Sequence, residues 1–316
     1  MNAFSPSDLL CSVGTGLMGS ATAAVFAASG HPVSVWGRSE ESLDRGRTAV
    51  EGALSVLEKN GLIRDSAAKA LSRVLFTAGL GEAVGDASFI IESLSEDLEL
   101  KRSFLAEIED LCPPRALLAS NTSGLMPTSI AERLRIPGRF LVTHFWNPAH
   151  LIPLVEICPG KATLPETTET ARGLLLSLGK KPVILRREIP GFIGNRLQFA
   201  ILREAIHIVE TGAASMEDVD TAMKCSLGRR LSATGPFETA DLGGLDVFAS
   251  VASYLFRDLS SSPEAPGLLV DRVKAGHLGA KTGEGLFQWT AEKRRNILEA
   301  RTGDLIAHMR KDASRG

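Results

Sequence analysis

At 316 residues the chain is longer than one compact domain usually is, so two domains are expected. Hydrophobic residues at 44% and charged residues at 23% are ordinary globular values, which exclude disorder, collagen-like repeats and a disulfide-stapled scaffold. A formal net charge of -2 leaves no basic surplus to meet a phosphate backbone, so nucleic acid is not an expected partner. One count narrows the chemistry: Tyr254 is the single tyrosine, beside 13 Phe and 3 Trp, and Asp258 stands four places after it. The Tyr-x-x-x-Lys pair that many dehydrogenases use is therefore absent. Cys11, Cys112, Cys158 and Cys225 are far apart and form no C-x-x-C pair, so each is read as a buried or half-buried thiol and no metal site is expected. No Lys or Arg precedes Arg38, so the apolar N-terminal stretch lacks the basic region of a signal peptide. No run reaches the ~18 to 20 apolar residues of a membrane span. The expectation is a soluble cytoplasmic protein with no membrane partner.

Along the first half, short apolar runs alternate with helical patterns, the signature of βαβ units and a mostly parallel, doubly wound α/β sheet. Residues 9–13, 33–36, 89–92, 116–119 and 140–144 are predicted strands, with helices over 15–29 and 97–111 between them. Residues 40–75 are too long for a normal crossover and are expected to form a helical arm in two pieces, broken at Asn60-Gly61 and projecting from the sheet. After Val183-Ile184-Leu185, the segment Glu188-Ile189-Pro190-Gly191 breaks the pattern, and helices are predicted over 192–210, 216–223 and 245–259. Leu197, Ile201, Ala205 and Ile208 are spaced for a core-facing stripe. The boundary falls near residue 188, giving a dinucleotide-binding domain over 1–188 and an all-helical domain over 189–316.

Gly14-Thr15-Gly16-Leu17-Met18-Gly19 directly follows the first strand and opens the first helix. In that context G-x-G-x-x-G supplies a tight turn, a close approach to a pyrophosphate and close helix–sheet packing, with helix N–H groups facing the anion. A site for NAD usually places Asp or Glu about 20 residues further on, to accept from the ribose hydroxyls. Here the second strand ends in Trp36-Gly37-Arg38-Ser39. Without the carboxylate a 2′-phosphate is not repelled; Arg38 can pair with it and Ser39 can donate to it, so NADP is the expected form of NAD(P). Arg38 stacked on adenine with NAD bound is the alternative.

Among the six histidines, His31, His207, His277 and His308 lie in turns, on an amphipathic helix or in polar surroundings. His144 ends a predicted strand at the carboxyl edge of the sheet, where open α/β sheets bind ligands. Glu156 lies on the next apolar run, Leu154-Val155-Glu156-Ile157, where an unpaired carboxylate is costly to bury. Pairing the two satisfies the carboxylate and orients an imidazole able to take a proton from a substrate hydroxyl. Trp146 has two readings, a neighbour of a flat substrate or a side chain packed under the second domain.

Six motifs in order now carry a resemblance: Gly14 to Gly19, Ser120-Asn121-Thr122-Ser123, His144-Phe145-Trp146-Asn147-Pro148, Leu154-Val155-Glu156, Pro190-Gly191-Phe192-Ile193-Gly194-Asn195-Arg196 and Gly235-Pro236-Phe237-Glu238. Through them the chain resembles the 3-hydroxyacyl-CoA dehydrogenase superfamily over nearly its whole length. The resemblance implies a Rossmann-type N-terminal domain, a helical C-terminal domain that forms a homodimer, and a His–Glu dyad. It makes His144 the acid/base and Glu156 its partner. It places Ser123 and Asn195 at the substrate oxygen, and Glu96 and Lys101 along the nicotinamide side. Ser123-Gly124-Leu125-Met126-Pro127, the run from Leu151 to Glu156 and the helix over 292–311 are more similar to the branch of L-gulonate 3-dehydrogenase (lambda-crystallin) and carnitine dehydrogenase. That branch acts on small free 3-hydroxy acids, and Arg230 aligns with an arginine suited to a substrate carboxylate. Asn121, Phe145-Trp146 and Lys281-Thr282-Gly283-Glu284-Gly285-Leu286-Phe287 follow the acyl-CoA pattern instead. The expected activity is hydride transfer between NAD(P) and a small 3-hydroxy acid. A 3-hydroxyacyl-CoA, a hydrated aldehyde on an aromatic acid, and a non-catalytic crystallin-like role are the alternatives.

Overall fold

The computed structural model describes residues 4–314. Eight strands, β1 (Leu10–Val13), β2 (Val33–Trp36), β3 (Val74–Thr77), β4 (Phe89–Glu92), β5 (Leu117–Ser120), β6 (Phe140–Phe145), β7 (Leu154–Pro159) and β8 (Lys181–Ile184), form one sheet. Their spatial order is β3-β2-β1-β4-β5-β6-β7-β8, with every neighbouring pair parallel except β6 and β7. β1, β4 and β5 are buried along their whole length, as strands covered on both faces must be, and so are mostly apolar, with Ser12, Glu92 and Ser120 as their polar residues. The strand period of two deals successive residues to opposite faces. Leu10, Phe89 and Ile91 join the core on one side, while Cys11, Val13 and Ile90 join the core on the other. Chain order reverses between β1 and β4, which opens a crevice at their carboxyl ends.

The antiparallel step is what builds the site. β7 returns beside β6 in a register that sets His144 directly across from Glu156. Directly opposed residues of an antiparallel pair point to the same face of the sheet.

Two expectations change. The stretch 40–75 is helical in two pieces parted at Asn60-Gly61, as expected, but it does not project from the sheet as an arm. Its helix Glu40–Lys59 packs along the helix Leu17–Ala28 through Val50, Ala53 and Leu54, and beyond a turn and the short helix Ala67–Leu71 it ends in β3, an edge strand. The stripe on the helix Gly194–Glu210 does not face a core within the chain: Leu197 is 53% and Ile201 44% exposed, and Ile206 is the buried residue of that helix. By compactness the chain forms one unit of Met1–Asn195 with Glu299–Gly316 and a second of Arg196–Leu298.

The end of the last helix, Ala291–Ala313, therefore belongs with the first unit. Leu305, Ile306 and Met309 pack with Leu57 and Leu151. Lys181 pairs with Asp312 at 2.8 Å and Arg310 donates to the Asn60 carbonyl at 3.1 Å. The ion pair is exposed and worth at most about 1 kcal/mol, so the apolar contacts carry most of this docking. Among the described residues no helix is long and apolar enough to cross a membrane.

Candidate active site

The turn after β1 is shaped by what its glycines avoid. A Cβ on Gly14, which sits at φ +112°, would lie 2.9 Å from the Ser93 carbonyl oxygen, and one on Gly19 would lie 1.9 Å from the Gly14 oxygen. At Gly16 the same test meets nothing within 4 Å, so the backbone there faces open space. The helix Leu17–Ala28 begins at Gly16 with no side-chain cap and no acidic residue in its first turn. Its first N–H groups are thus available to an anion, and the residues fit a dinucleotide pyrophosphate. A cleft of about 560 Å³ opens here, lined by Gly14, Gly16, Arg38 and Ser93, with Trp36, Leu100 and Phe104 as its apolar wall. Trp36 and Phe104 are 4.9 Å apart between ring centroids.

Arg38 lines this cleft, and so does Arg45, which sequence reading missed. No Asp or Glu is among its described lining residues. Arg45 pairs with Glu41 one turn away. Ser39 caps the helix Glu40–Lys59, its hydroxyl oxygen accepting from the Ser42 N–H. Leu17 is 70% exposed at the start of the first helix, whereas Met18 packs against the core.

Below the loop that follows β4 lies a buried ion pair. Lys101 Nζ is 2.7 Å from Glu92 Oε1, and both side chains are almost wholly enclosed. Glu92 also accepts from Ser120 Oγ at 2.7 Å, which ties the ends of β4 and β5 together. Lys101 Nζ also lies 3.6 Å from Glu96 Oε2, the other residue expected along the nicotinamide side. Glu96 stands at the surface of this network, accepting from the Ser123 N–H at 3.0 Å and from the Thr122 hydroxyl. Asn121 Oδ1 accepts from the Phe145 N–H at 2.8 Å, joining the end of β5 to the end of β6.

His144 Nδ1 is 2.9 Å from Glu156 Oε2, and both residues are buried. With the carboxylate as acceptor, Nδ1 is the donor, which makes Nε2 the lone-pair nitrogen of the neutral ring. Nε2 makes no hydrogen bond to another described residue. Glu156 accepts three further bonds: from Trp146 Nε1 at 3.1 Å on Oε2, and from the Ile193 and Gly194 N–H groups at 2.8 and 2.9 Å on Oε1. Burial alone pushes the carboxyl up, but the bonds from His144, Gly194, Ile193 and Trp146 together hold it below the usual carboxylate range. The two N–H groups are aimed by an unusual turn, in which Gly191 at φ +73° is followed by Phe192 at φ +53°. A left-handed bulky residue costs energy, of order 1–3 kcal/mol. Phe192 is fully buried, with its ring 5.5 Å from that of His144.

Asn195 Nδ2 donates to the Ser123 carbonyl at 2.8 Å, and the Ser123 side chain is exposed. Ser123, Asn195, His144 and Glu156 thus belong to one connected part of the first unit. Arg230 does not: it ends the short helix Leu227–Arg230 in the second unit, exposed. Tyr254 is also in that unit and is 64% exposed. Sequence reading missed the Trp146 bond, the paired N–H groups and the Glu92–Lys101 pair. Among the described residues no group of three or more His, Cys, Asp or Glu could hold a metal ion.

Comparison with known proteins gives the family of this fold. The profile described as 3-hydroxyacyl-CoA dehydrogenase, NAD binding domain, matches residues 10–189, and that of the C-terminal domain of the same family matches 191–289. A 5-formyl-3-hydroxy-2-methylpyridine 4-carboxylate 5-dehydrogenase of Mesorhizobium japonicum is 34% identical, covering 93% of this chain and 95% of that protein. An L-carnitine dehydrogenase of Streptomyces griseus is 36% identical over 91% of this chain and 87% of its own. A crystal structure of 5-formyl-3-hydroxy-2-methylpyridine 4-carboxylic acid 5-dehydrogenase, described as an NAD+-dependent dismutase, superposes with a TM-score of 0.90 at 32% identity, over 95% of this chain and 97% of the other. With both family profiles matched in order along a doubly wound sheet and a helical second unit, the chain belongs to the 3-hydroxyacyl-CoA dehydrogenase family, NAD-dependent dehydrogenases acting on CH–OH groups.

Proposed function

We propose that this enzyme moves a hydride between NAD(P) and the hydroxyl-bearing carbon of a small free 3-hydroxy acid, with His144 as acid/base and Glu156 as its partner. The observation that carries the reading is the buried 2.9 Å contact from His144 Nδ1 to Glu156, which leaves Nε2 without a hydrogen-bond partner among the described residues. In the oxidative direction Nε2 takes the substrate hydroxyl proton while Nδ1–H stays bonded to the carboxylate, whose charge stabilises the imidazolium. The Ser123 hydroxyl and the Asn195 side chain hold the substrate oxygen as its single bond to carbon becomes a carbonyl. Gly14, Gly16, the start of the first helix, Arg38 and Glu96 hold the cofactor, which supplies the carbon that accepts or returns the hydride. Arg230 is proposed for the substrate carboxylate.

The test is an absorbance assay at 340 nm with free 3-hydroxy acids, 3-hydroxyacyl-CoA thioesters and aromatic-acid aldehydes, each with both cofactors. Turnover confined to the thioesters would refute the free-acid assignment. His144→Ala is expected to lower kcat by about 10²- to 10⁴-fold with cofactor binding intact, and an unchanged kcat would refute the dyad.

A preference for NADP belongs to the same proposal. It is supported by two arginines, Arg38 and Arg45, in a cleft whose described lining has no carboxylate. An NAD preference above tenfold would overturn it. We also propose a homodimer through the second unit, because Ile206 is the one large buried hydrophobic of residues 196–298, whereas Phe237, Leu242 and Phe256 are 87, 79 and 72% exposed. Apolar exposure on that scale marks a surface covered in solution. A cytoplasmic location is part of this reading, supported by the free thiols Cys11, Cys112, Cys158 and Cys225.

The second reading is oxidation of a hydrated aldehyde on an aromatic acid. It is favoured by the TM-score of 0.90 to the pyridine-carboxylate dehydrogenase. The same imidazole would take a proton from a gem-diol hydroxyl, and the product would be a carboxylic acid. The substrate assay above separates the two.

A further inference from the structure

We infer that Trp146 is a positioning residue for the His144–Glu156 pair, its indole N–H sharing the carboxylate oxygen that the imidazole uses. The inference rests on the proposal that this pair handles the substrate proton. Trp146 follows the end of β6, two residues after His144, and its ring centroid lies 5.4 Å from that of the imidazole. Nε1 and His144 Nδ1 reach Oε2 at 3.1 and 2.9 Å, while the Ile193 and Gly194 N–H groups hold Oε1 at 2.8 and 2.9 Å. Each oxygen therefore has two donors, and the carboxylate plane is fixed from both sides.

The indole itself is held by backbone. A Cβ on Gly194 would lie 2.3 Å from Trp146 Cζ2, so the ring occupies the space a side chain there would need. The titratable groups facing Glu156 are His144 across the strand pair and Cys158 two residues along β7. Burial pushes the Cys158 thiol up to about 12, so it stays neutral, and the indole is left as the neutral donor competing with the imidazole for Oε2. Drawing part of that oxygen's charge weakens its hold on the imidazolium proton, which eases proton return in each catalytic cycle.

Two substitutions in the full-length protein test this. Trp146→Phe removes the N–H, and 3-benzothienylalanine incorporated at position 146 keeps the bicyclic shape with sulfur in place of N–H. In both, the acid limb of kcat/KM for alcohol oxidation should move to higher pH by about half a unit, because Glu156 loses one of its donors. Near neutral pH kcat should fall about three- to tenfold with cofactor KM unchanged, the scale of one partly compensated charge-assisted hydrogen bond. An acid limb that stays in place in the benzothienyl protein, whatever happens to kcat, would mean that Trp146 only packs. Should Trp146→Phe not fold, the isosteric analogue decides alone. His144→Ala separates the two layers: if it keeps turnover, the reading of the pair fails and this inference with it. If it is inactive while the limb is unmoved in the benzothienyl protein, the role of Trp146 alone falls.

Discussion

The two compact units differ in how they are finished. The first has apolar cores on both faces of its sheet, and its buried charges at the site are met by partners: Glu92 by Lys101 and Ser120, Glu156 by four donors. The second, residues 196–298, encloses one large hydrophobic residue and leaves Phe237, Leu242, Leu245 and Phe256 largely open. A sheet covered on both faces can satisfy itself within one chain, whereas short helices each need a neighbour for the apolar face. The contrast teaches that the first unit meets its buried charges from within, while the helical unit leaves large apolar side chains open, which is the exposure that the proposed dimer would cover.

The sharpest way to break that contrast is to unbalance the closed site. Glu156→Ala would leave His144, Trp146 and two backbone N–H groups without their acceptor; stability should fall by about 3–5 kcal/mol and kcat by at least 10²-fold, read by chemical denaturation and steady-state turnover. A stable Glu156→Ala protein would show that the first unit does not rely on the closure of its site. Gly194→Ala forces the indole of Trp146 away, and a shift of about 1 Å beside the reacting groups can cost about 10² in kcat. An unaltered kcat there would mean the turn gives way without cost.

The open parts of the contrast predict smaller effects. Arg38→Ala should raise KM for NADP by about tenfold or more while leaving NADH oxidation near wild type, as loss of a charge-assisted contact implies. In the second unit, Phe237→Glu with Leu242→Glu should halve the mass seen by light scattering; an unchanged dimer would move the interface elsewhere. The smallest effect is in acid. The Glu156 carboxyl is held below its ordinary value, so its contribution to stability is present above the unfolded-state value and disappears as pH falls through the folded one. The Tm difference between wild type and Glu156→Gln should therefore shrink as pH is lowered below the ordinary carboxylate range. A difference that widened in acid would reverse the sign.

What could be read from the residues follows from what a local pattern encodes. β1, β4 and β5 announce themselves because strands covered on both faces are predominantly apolar and do not alternate. β3 does not, since Leu75 is exposed and Val74–Thr77 directly follows a helical stretch, so an edge strand passes for the end of an arm. His144 and Glu156 could be paired on paper because a lone buried carboxylate needs a partner, but the antiparallel register that opposes them is a property of the sheet. The Trp146 bond spans ten residues with no periodic signal, and the N–H groups of Ile193 and Gly194 carry no side-chain identity at all. The spacing of Leu197 and Ile201 correctly marked an apolar face, yet spacing cannot say whether the covering surface lies in the same chain.

The opposed register of β6 and β7 also has a meaning for how such an enzyme can diversify. The facing positions of His144 and Glu156 are set by the ladder, and of the residues joining the strands, 146–153, Trp146 is the one whose side chain bonds to the pair. The rest of that connection can change in composition while His144 and Glu156 stay opposed. A slip of one residue within the ladder would send the two side chains to opposite faces and abolish the pair at a stroke. Variation is therefore tolerated in the loop and not in the strands.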